Sequence, residues 1–265
     1  MEARSESIGI TGTSTAAIYR PKATEREKGP ISPTVQALTQ LGFAKVEVDT
    51  LDLAEMPDRH VFDRAFEWDQ ELDPEVGRRW RSHAKLVIDE SGGLSRLAHS
   101  PYVQTPEYNP HDGGKQRVFK PIVDDVLSSR TLQYLISFTT GIARATVPKI
   151  FSQRGAAKLG LHMISYRPDA AGPAYASPTW LHKDDEPFVA VILGGLTPNL
   201  SGGDNIISPN DGRYRVISEA FKLQEQFEML LLTNTQSYHA VTPMFSSDGR
   251  PARRDVLLIT FEELS

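Results

Sequence analysis

The sequence predicts a mainly β protein, a β-sandwich or jelly roll, with helices gathered in its N-terminal half. Three observations carry this. From about residue 157 the chain breaks into short apolar runs separated by turn residues. No helical pattern longer than two or three turns interrupts those runs. Before residue 150, apolar residues instead recur at helical spacing and would supply helices to buttress one sheet.

Taken in order, residues 1–30 are rich in Ser, Thr, Lys and Glu and close with Gly29-Pro30, which predicts a flexible N-terminal segment. Residues 31–265 are expected to form a single domain, with a helical buttress over about 31–150 and a β core over about 157–262. Ser32-Pro33 opens a helix, with Ser at the N-cap and Pro at the first helical position. Val35, Leu38 and Leu41 give it one apolar face, and Gly42 ends it. Phe43, Val46 and Val48 have strand character. Val61, Phe62, Ala65, Phe66 and Trp68 predict a second helix from Arg59 to Leu72. Residues 87–120 are rich in Gly and Pro and read as loop with short strands threaded through it. Leu127, Leu132, Leu135, Ile136, Phe138 and Ile142 predict a helix over 121–146, stopped by Pro148. The β half then reads Leu159–Tyr166, Phe188–Leu193, Asn205–Ile207, Tyr214–Ile217, Phe227–Leu232, Tyr238–Val241 and Asp255–Phe261. Turns fall at Pro168, Gly172-Pro173, Ser201-Gly202-Gly203, Asn210-Asp211-Gly212 and Asp248-Gly249.

Composition narrows the function classes. A net charge of −5 over 265 residues argues against nucleic acid as a partner. The basic cluster Arg78-Arg79-Trp80-Arg81 is expected to be a solvated helix face. With no cysteine, disulfides, thiolate nucleophiles, iron–sulfur clusters and Cys-based zinc sites are excluded. There is no run of 18 apolar residues, so no membrane helix is expected. The opening Met1-Glu2-Ala3-Arg4-Ser5-Glu6-Ser7 lacks an apolar signal region. A soluble cytoplasmic protein follows as the expectation. The oligomeric state is not legible, and a homodimer stands as one option.

The chemistry concentrates in His182-Lys183-Asp184 and a lone downstream histidine, His239. Residues two apart in an extended segment point the same way, so one strand edge can offer both His182 and Asp184 to one metal. His239, in the apolar run Ser237–Val241, would add a third ligand from another strand. Two imidazoles and a carboxylate on one face of a metal leave positions open, an arrangement that suits non-haem iron(II). A His-x-Asp pair alone is weak evidence, since most are surface pairs. The β-rich setting of both segments and the position of Arg254 strengthen it. A zinc hydrolase can also use two His and one carboxylate, with Glu186 as the nearby base. A jelly roll that only binds partners is the non-catalytic alternative. His162 reads as a core or supporting histidine, while His60, His83, His99 and His111 have no partners at ligand spacing.

Arg254 leads into the strand Asp255–Phe261, where an unpaired cation is costly to bury. An acidic co-substrate would pair with it as a two-pronged fork; a salt bridge to Asp255 or Glu262 is the plainer reading. Arg253 points to the opposite face, and periodicity alone does not separate the two.

Four segments together resemble a known family: His182-Lys183-Asp184-Asp185, Ser201-Gly202-Gly203-Asp204-Asn205, Tyr238-His239-Ala240-Val241-Thr242-Pro243 and Arg254-Asp255-Val256-Leu257. They are similar to the iron(II)/2-oxoglutarate dioxygenases related to bacterial L-isoleucine hydroxylase. Upstream, Gln104-Thr105-Pro106-Glu107-Tyr108-Asn109 and Gln116-Arg117-Val118-Phe119 resemble that family's substrate-side segment. The likeness covers roughly residues 95–262. It implies a double-stranded β-helix, with iron(II) on His182, Asp184 and His239 as the catalytic centre and 2-oxoglutarate on Arg254. It further implies oxygen as co-substrate and a free aliphatic L-amino acid as the molecule oxidised. The outcome would be hydroxylation, desaturation, or C–N ring closure such as aziridine formation. Arg117 is a candidate for the substrate carboxylate, and Gln104, Tyr108 or Asn109 for its other polar groups. Ile259 and Phe261 are candidates for an apolar wall, against ordinary core packing. Two departures from the pattern, Asp185 in place of the usual glycine and Lys183 between the ligands, alter the rim of the site.

Overall fold

Helix α1 (Ile31–Leu41) buries Leu38 and leaves Leu41 exposed. Gly42 follows at φ +77°, a left-handed conformation that glycine adopts without Cβ strain, and its N–H donates to the Leu38 carbonyl at 3.0 Å. In this computed structural model the described residues are 31–73, 76–103, 105–106, 113–176, 178, 181–209, 220–233 and 237–263. The 1–30 segment, the Tyr214–Ile217 run and the candidates Gln104, Tyr108 and Asn109 lie outside them.

Beyond α1 the chain forms β1 (Phe43–Val46), α2 (Arg59–Trp68), β2 (Glu71–Leu72), β3 (Arg79–Ile88), β4 (Leu94–Arg96) and β5 (Lys120–Pro121). Then come α3 (Asp124–Leu127), α4 (Arg130–Thr146), β6 (Ala157–Tyr166), β7 (Phe188–Leu196), β8 (Leu200–Gly202) and β9 (Asn205–Pro209). The last strands are β10 (Met229–Thr233), β11 (Ser237–Val241), β12 (Met244–Ser246) and β13 (Arg254–Glu262).

The main sheet runs β1-β10-β7-β13-β6-β3-β2, with β4 and β5 also pairing with β3. Two short ladders, β11 with β9 and β12 with β8, lie over it. The period of two along each strand sorts side chains onto two faces. Leu257, Ile259 and Phe261 join Ala84, Leu86, Leu159, Leu161 and the helices in one core. Val256, Ile164, Val189, Leu193 and Leu230 join Ile207, Leu200 and Met244 of the short ladders in a second. The short ladders therefore cover the face of the sheet opposite the helices, which is the two-layered arrangement of a helix-buttressed jelly roll.

Three differences from the sequence-based reading have physical causes. The second helix stops at Trp68, not Leu72, because Leu72 pairs with Trp80 across β2 and β3. The helix expected over 121–146 is two, α3 and α4, divided where Ser129 caps α4 by accepting from Leu132 N at 3.2 Å. The basic cluster is not a solvated helix face. Arg79 and Arg81 sit in β3, 2% and 5% exposed. Arg79 donates from Nε to buried Asp73 at 3.0 Å, and the Arg81 Nη1 lies 3.9 Å from the same carboxylate. A buried counter-ion turns what would be a prohibitive burial into a tolerated one. The segment 31–150 is thus more than a helical buttress, for it contributes β1 to β5 to the main sheet. No helix among the described residues is long and apolar enough to cross a membrane.

Candidate metal centre

His182 and His239 face each other across an isolated antiparallel bridge. The His182 N–H donates to the His239 carbonyl at 3.0 Å, and the His239 N–H returns the bond at 2.8 Å. This pairing, at the edge of the β11–β9 ladder, brings the two rings to 4.3 Å between centroids. Asp184, two residues on, reaches the same point. Its carboxylate oxygens stand 3.6 Å from His182 Nε2 and 3.4 Å from His239 Nε2. Donors on one first-row metal at about 2.0–2.2 Å stand roughly 3–4 Å apart, so these separations fit a single ion with the donors on one side of it. All three offer ligand atoms within 4.8 Å of one another.

The protonation states also fit. Burial pushes the His239 imidazole down to about 4, against the opposing pull of Asp184, which leaves a neutral ring with a lone pair to give. Burial alone would raise the Asp184 carboxyl, but the adjacent His239 and the hydrogen-bonded His182 hold it below its ordinary value. The Nδ1 of His239 is buried without a hydrogen-bond partner among the described residues, so backbone pairing and ring packing fix its orientation.

Arg254, the first residue of β13, is 1% exposed. Its Nε and Nη2 are buried donors with no partner among the described residues. Two orphaned donors on one guanidinium are a poor fit to a finished structural ion pair and a good fit to a carboxylate that arrives with a ligand. Arg254 stands opposite Tyr166 in β6. On its other side lies Gly203, at φ +74°, where a Cβ would come within 3.5 Å of Arg254 Cδ and 3.1 Å of Met244 Cγ. At Gly202, φ +71°, a Cβ would lie 2.0 Å from the Pro243 carbonyl oxygen. The Ser201–Asn205 motif is therefore glycine-rich because the backbone must pass close to Pro243 and to this arginine. Arg253 points the other way, with Nε 2.9 Å from Asp255 and Nη1 3.5 Å from Glu67, so its charge is already matched.

The substrate-side candidates fare unequally. Arg117 is buried, is bridged to Tyr102 through both backbone hydrogen bonds, and lays its guanidinium 5.0 Å over the Tyr102 ring. Ile259 and Phe261 are not brought to the site. Both are fully buried in the helix-side core, on the face of β13 opposite Val256, and Phe261 packs edge-on against Phe188 at 5.4 Å. They correct the expectation of an apolar substrate wall, and ordinary core packing accounts for them. His162 is a core histidine. Arginine can only donate, so the Arg81 Nη2 contact at 2.9 Å makes His162 Nδ1 the acceptor and places its proton on Nε2.

Two features beside the triad were not singled out as substrate-side candidates. Asp185 accepts from Thr105 N and Thr105 Oγ1, both at 2.8 Å, and so ties the segment that follows Tyr102 to the residue after the candidate ligand. Glu186 is buried; burial and then the Asp184 charge push its carboxyl up to about 8. Neither contact is visible in a sequence, since 80 residues separate Thr105 from Asp185.

Comparison with known proteins agrees with the geometry. The family model described as 2OG-Fe dioxygenase matches residues 65–260. A 3(1)-hydroxy-L-isoleucine 4-dioxygenase of Pantoea ananatis (strain AJ13355) is 34% identical over 194 residues, covering 72% of this chain and 76% of the relative. An L-isoleucine-4-hydroxylase of Bacillus thuringiensis is 38% identical over 160 residues, covering 60% and 64%. Among solved structures, IDO from Bacillus thuringiensis superimposes with a TM-score of 0.72 at 28% identity, over 89% of this chain and 100% of the other. A bsmA homolog from Methylobium petroleophilum PM1 shares the fold, with a TM-score of 0.73 at 23% identity over 88% and 93%. The chain belongs to the 2OG-Fe dioxygenase family, and iron(II), 2-oxoglutarate and dioxygen are its cofactor and co-substrates.

Proposed function

We propose that this chain oxidises an unactivated C–H bond of a free, branched aliphatic L-amino acid, with iron on His182, Asp184 and His239 and the distal carboxylate of 2-oxoglutarate on Arg254. The observation that carries the co-substrate assignment is the pair of buried donors on Arg254 that have no partner among the described residues. When bound, iron(II) with 2-oxoglutarate and oxygen supplies the oxidising power, releasing succinate and CO2. The chain's own residues do the rest. His182 and His239 offer neutral imidazoles, and Asp184 offers one negative charge that offsets half of the metal's. Arg254 fixes the far end of 2-oxoglutarate and so orients its near end. Burial around the triad limits water, which favours coupling of co-substrate consumption to the intended C–H bond. Isoleucine is the first amino acid to test, since the relatives bear names of enzymes acting at position 4 of isoleucine or its hydroxy derivative.

The test is succinate release by purified protein with iron(II), 2-oxoglutarate and air across a panel of free L-amino acids. One or more aliphatic members should accelerate succinate formation several-fold and be consumed in equal amount. Succinate formation that no free amino acid accelerates would overturn the reading.

A further inference from the structure

In the middle of the main sheet, on the face that the short ladders cover, two aliphatic side chains are only partly buried: Val191 of β7 and Leu258 of β13. They are direct cross-strand partners, and both strands are interior to the sheet. Their neighbours on that face are closed off. Along the strands these are Val189, Leu193, Val256 and Thr260, and across them Leu230 and His162, none more than 5% exposed. A partly exposed apolar residue at a sheet edge would be ordinary, but an apolar pair left open inside a ring of buried residues is the floor of a hollow. The hollow lies between the layers that carry the site. His239 stands directly opposite Ile207 in the β11–β9 ladder, and directly paired residues share a face. Ile207 is fully buried in the core that Val189, Leu193, Leu230 and Val256 supply, so His239 is turned towards the same face of the main sheet. Arg254 is on that face as well, since Arg254, Val256, Leu258 and Thr260 alternate with the helix-side residues of β13. At about 3.3 Å per residue, Leu258 lies roughly 13 Å along the strand from Arg254, farther than a five-carbon diacid extends. Co-substrate held on Arg254 therefore leaves the hollow over Leu258 and Val191 open.

We propose that Val191 and Leu258 form the specificity-determining floor for the substrate's aliphatic side chain. The proposal rests on the amino-acid reading above and adds to it the residues that measure the side chain. An aliphatic group is the occupant this floor suits, since neither Val nor Leu offers a hydrogen bond and contact with them is favourable in proportion to the apolar area buried. The pair lies between two layers rather than on an outer face, which suits a small group and not a protein surface. The flanking positions do not yield easily. His162, beside Leu258, is held by Arg81 at 2.9 Å, and Leu230, beside Val191, is packed in the core. The depth of the hollow is therefore set by the two partly buried side chains, and one methylene more or less in an apolar pocket changes discrimination about 10- to 200-fold. Ile259, the chain neighbour of Leu258, points to the helix-side core and takes no part.

The test measures binding by calorimetry on the anaerobic holoenzyme with iron(II) and 2-oxoglutarate bound. The probes are a homologous series of free amino acids from L-alanine to L-2-aminoheptanoate, with L-isoleucine alongside. Leu258→Ala should move the tightest-binding member to a longer side chain, and Leu258→Phe should move it to a shorter one. The Kd ratio between the old and the new optimum should change by about tenfold or more in each case. The 2-oxoglutarate Kd should stay unchanged in both variants. Ile259→Val, which alters the opposite face of β13, should leave the order of affinities as in wild type. A merely structural role would weaken every member of the series alike, and in the same direction for the smaller and the larger side chain. The proposal is overturned if Leu258→Ala and Leu258→Phe keep the wild-type order, or if Ile259→Val shifts the order as far as they do. Should either Leu258 variant not fold, Val191→Ala and Val191→Leu decide by the same criterion. If no free amino acid drives succinate release, the functional reading falls and takes the proposal with it; if one does and the order of affinities stays put in the variants, only the proposal falls.

Discussion

Replacing Arg254 by Met separates a structural arginine from a ligand-binding one, because the two roles predict opposite changes in stability. Arg254 is 1% exposed, and two of its donors are unsatisfied among the described residues. Each buried orphan donor costs about 1–3 kcal/mol. Met fills much of the same stem volume, at a packing cost below about 1.5 kcal/mol. Arg254→Met should therefore leave the protein without 2-oxoglutarate at least as stable as wild type, with a gain of about 1–3 kcal/mol. The co-substrate should suffer instead. Losing a buried, charge-assisted pair costs about 2–5 kcal/mol, or roughly 30-fold to several thousandfold in Kd. The assay is thermal or urea unfolding of the metal-loaded protein under nitrogen, with and without 2-oxoglutarate. At about 100 times its wild-type Kd the co-substrate stabilises wild type by about 2.7 kcal/mol, and in the variant that increment should nearly vanish. Arg253→Met should keep it, since that side chain is matched to Asp255 and Glu67. A variant at Arg254 that loses 2 kcal/mol or more without ligand, yet binds 2-oxoglutarate within threefold of wild type, would refute the reasoning.

Three further outcomes follow from the packing. Asp73→Ala strands Arg79 and Arg81 in the interior and should cost about 3–5 kcal/mol in urea unfolding; a loss below 1 kcal/mol would mean the two cations find water. Burial, with Arg81, Lys85 and His99 nearby, pushes His83 down to about 3, so the folded protein refuses a proton that the unfolded chain accepts near 6.5. Its stabilising contribution is complete above about pH 6.5 and is lost as pH falls towards 3, about 2 kcal/mol of it between pH 7 and 5. In His83→Leu the stability lost between those two pH values should shrink by that amount, and an unchanged loss would contradict it. Asp185→Gly frees Thr105 from the ligand segment and should raise the KM for the amino acid about two- to tenfold while iron binding stays intact; a loss of iron instead would make Asp185 part of the metal centre.

The β half was legible because its strands carry apolar residues on faces that turn signals delimit, as in Phe188–Leu196 and Arg254–Glu262. Strand β3 was not, because its inner face reads Arg79, Arg81, His83, Lys85. Only the fold shows that Asp73 bonds to Arg79 and lies 3.9 Å from Arg81, and that His83 stacks on His162 at 4.5 Å. The triad was readable from residue types and an extended spacing. The choice between Arg253 and Arg254 was not, because it rests on which face Glu67 and Asp255 occupy. Ile259 and Phe261 were misplaced for a related reason. Both faces of β13 are buried, so alternation reveals two sets of residues without saying which set faces the helices. The Tyr102–Arg117 bridge and the Thr105–Asp185 tie depend on distant chain segments meeting, which no local pattern encodes.

The central claim is that His182, Asp184 and His239 hold the iron that 2-oxoglutarate chelates. Anaerobic titration with iron(II) and then 2-oxoglutarate tests it most directly, by the weak visible charge-transfer band that such chelation produces. The account predicts the band in wild type, saturating at one equivalent of iron, and its absence in a His182→Ala/His239→Ala double variant that remains folded. No band in wild type, or the same band in the double variant, would contradict it.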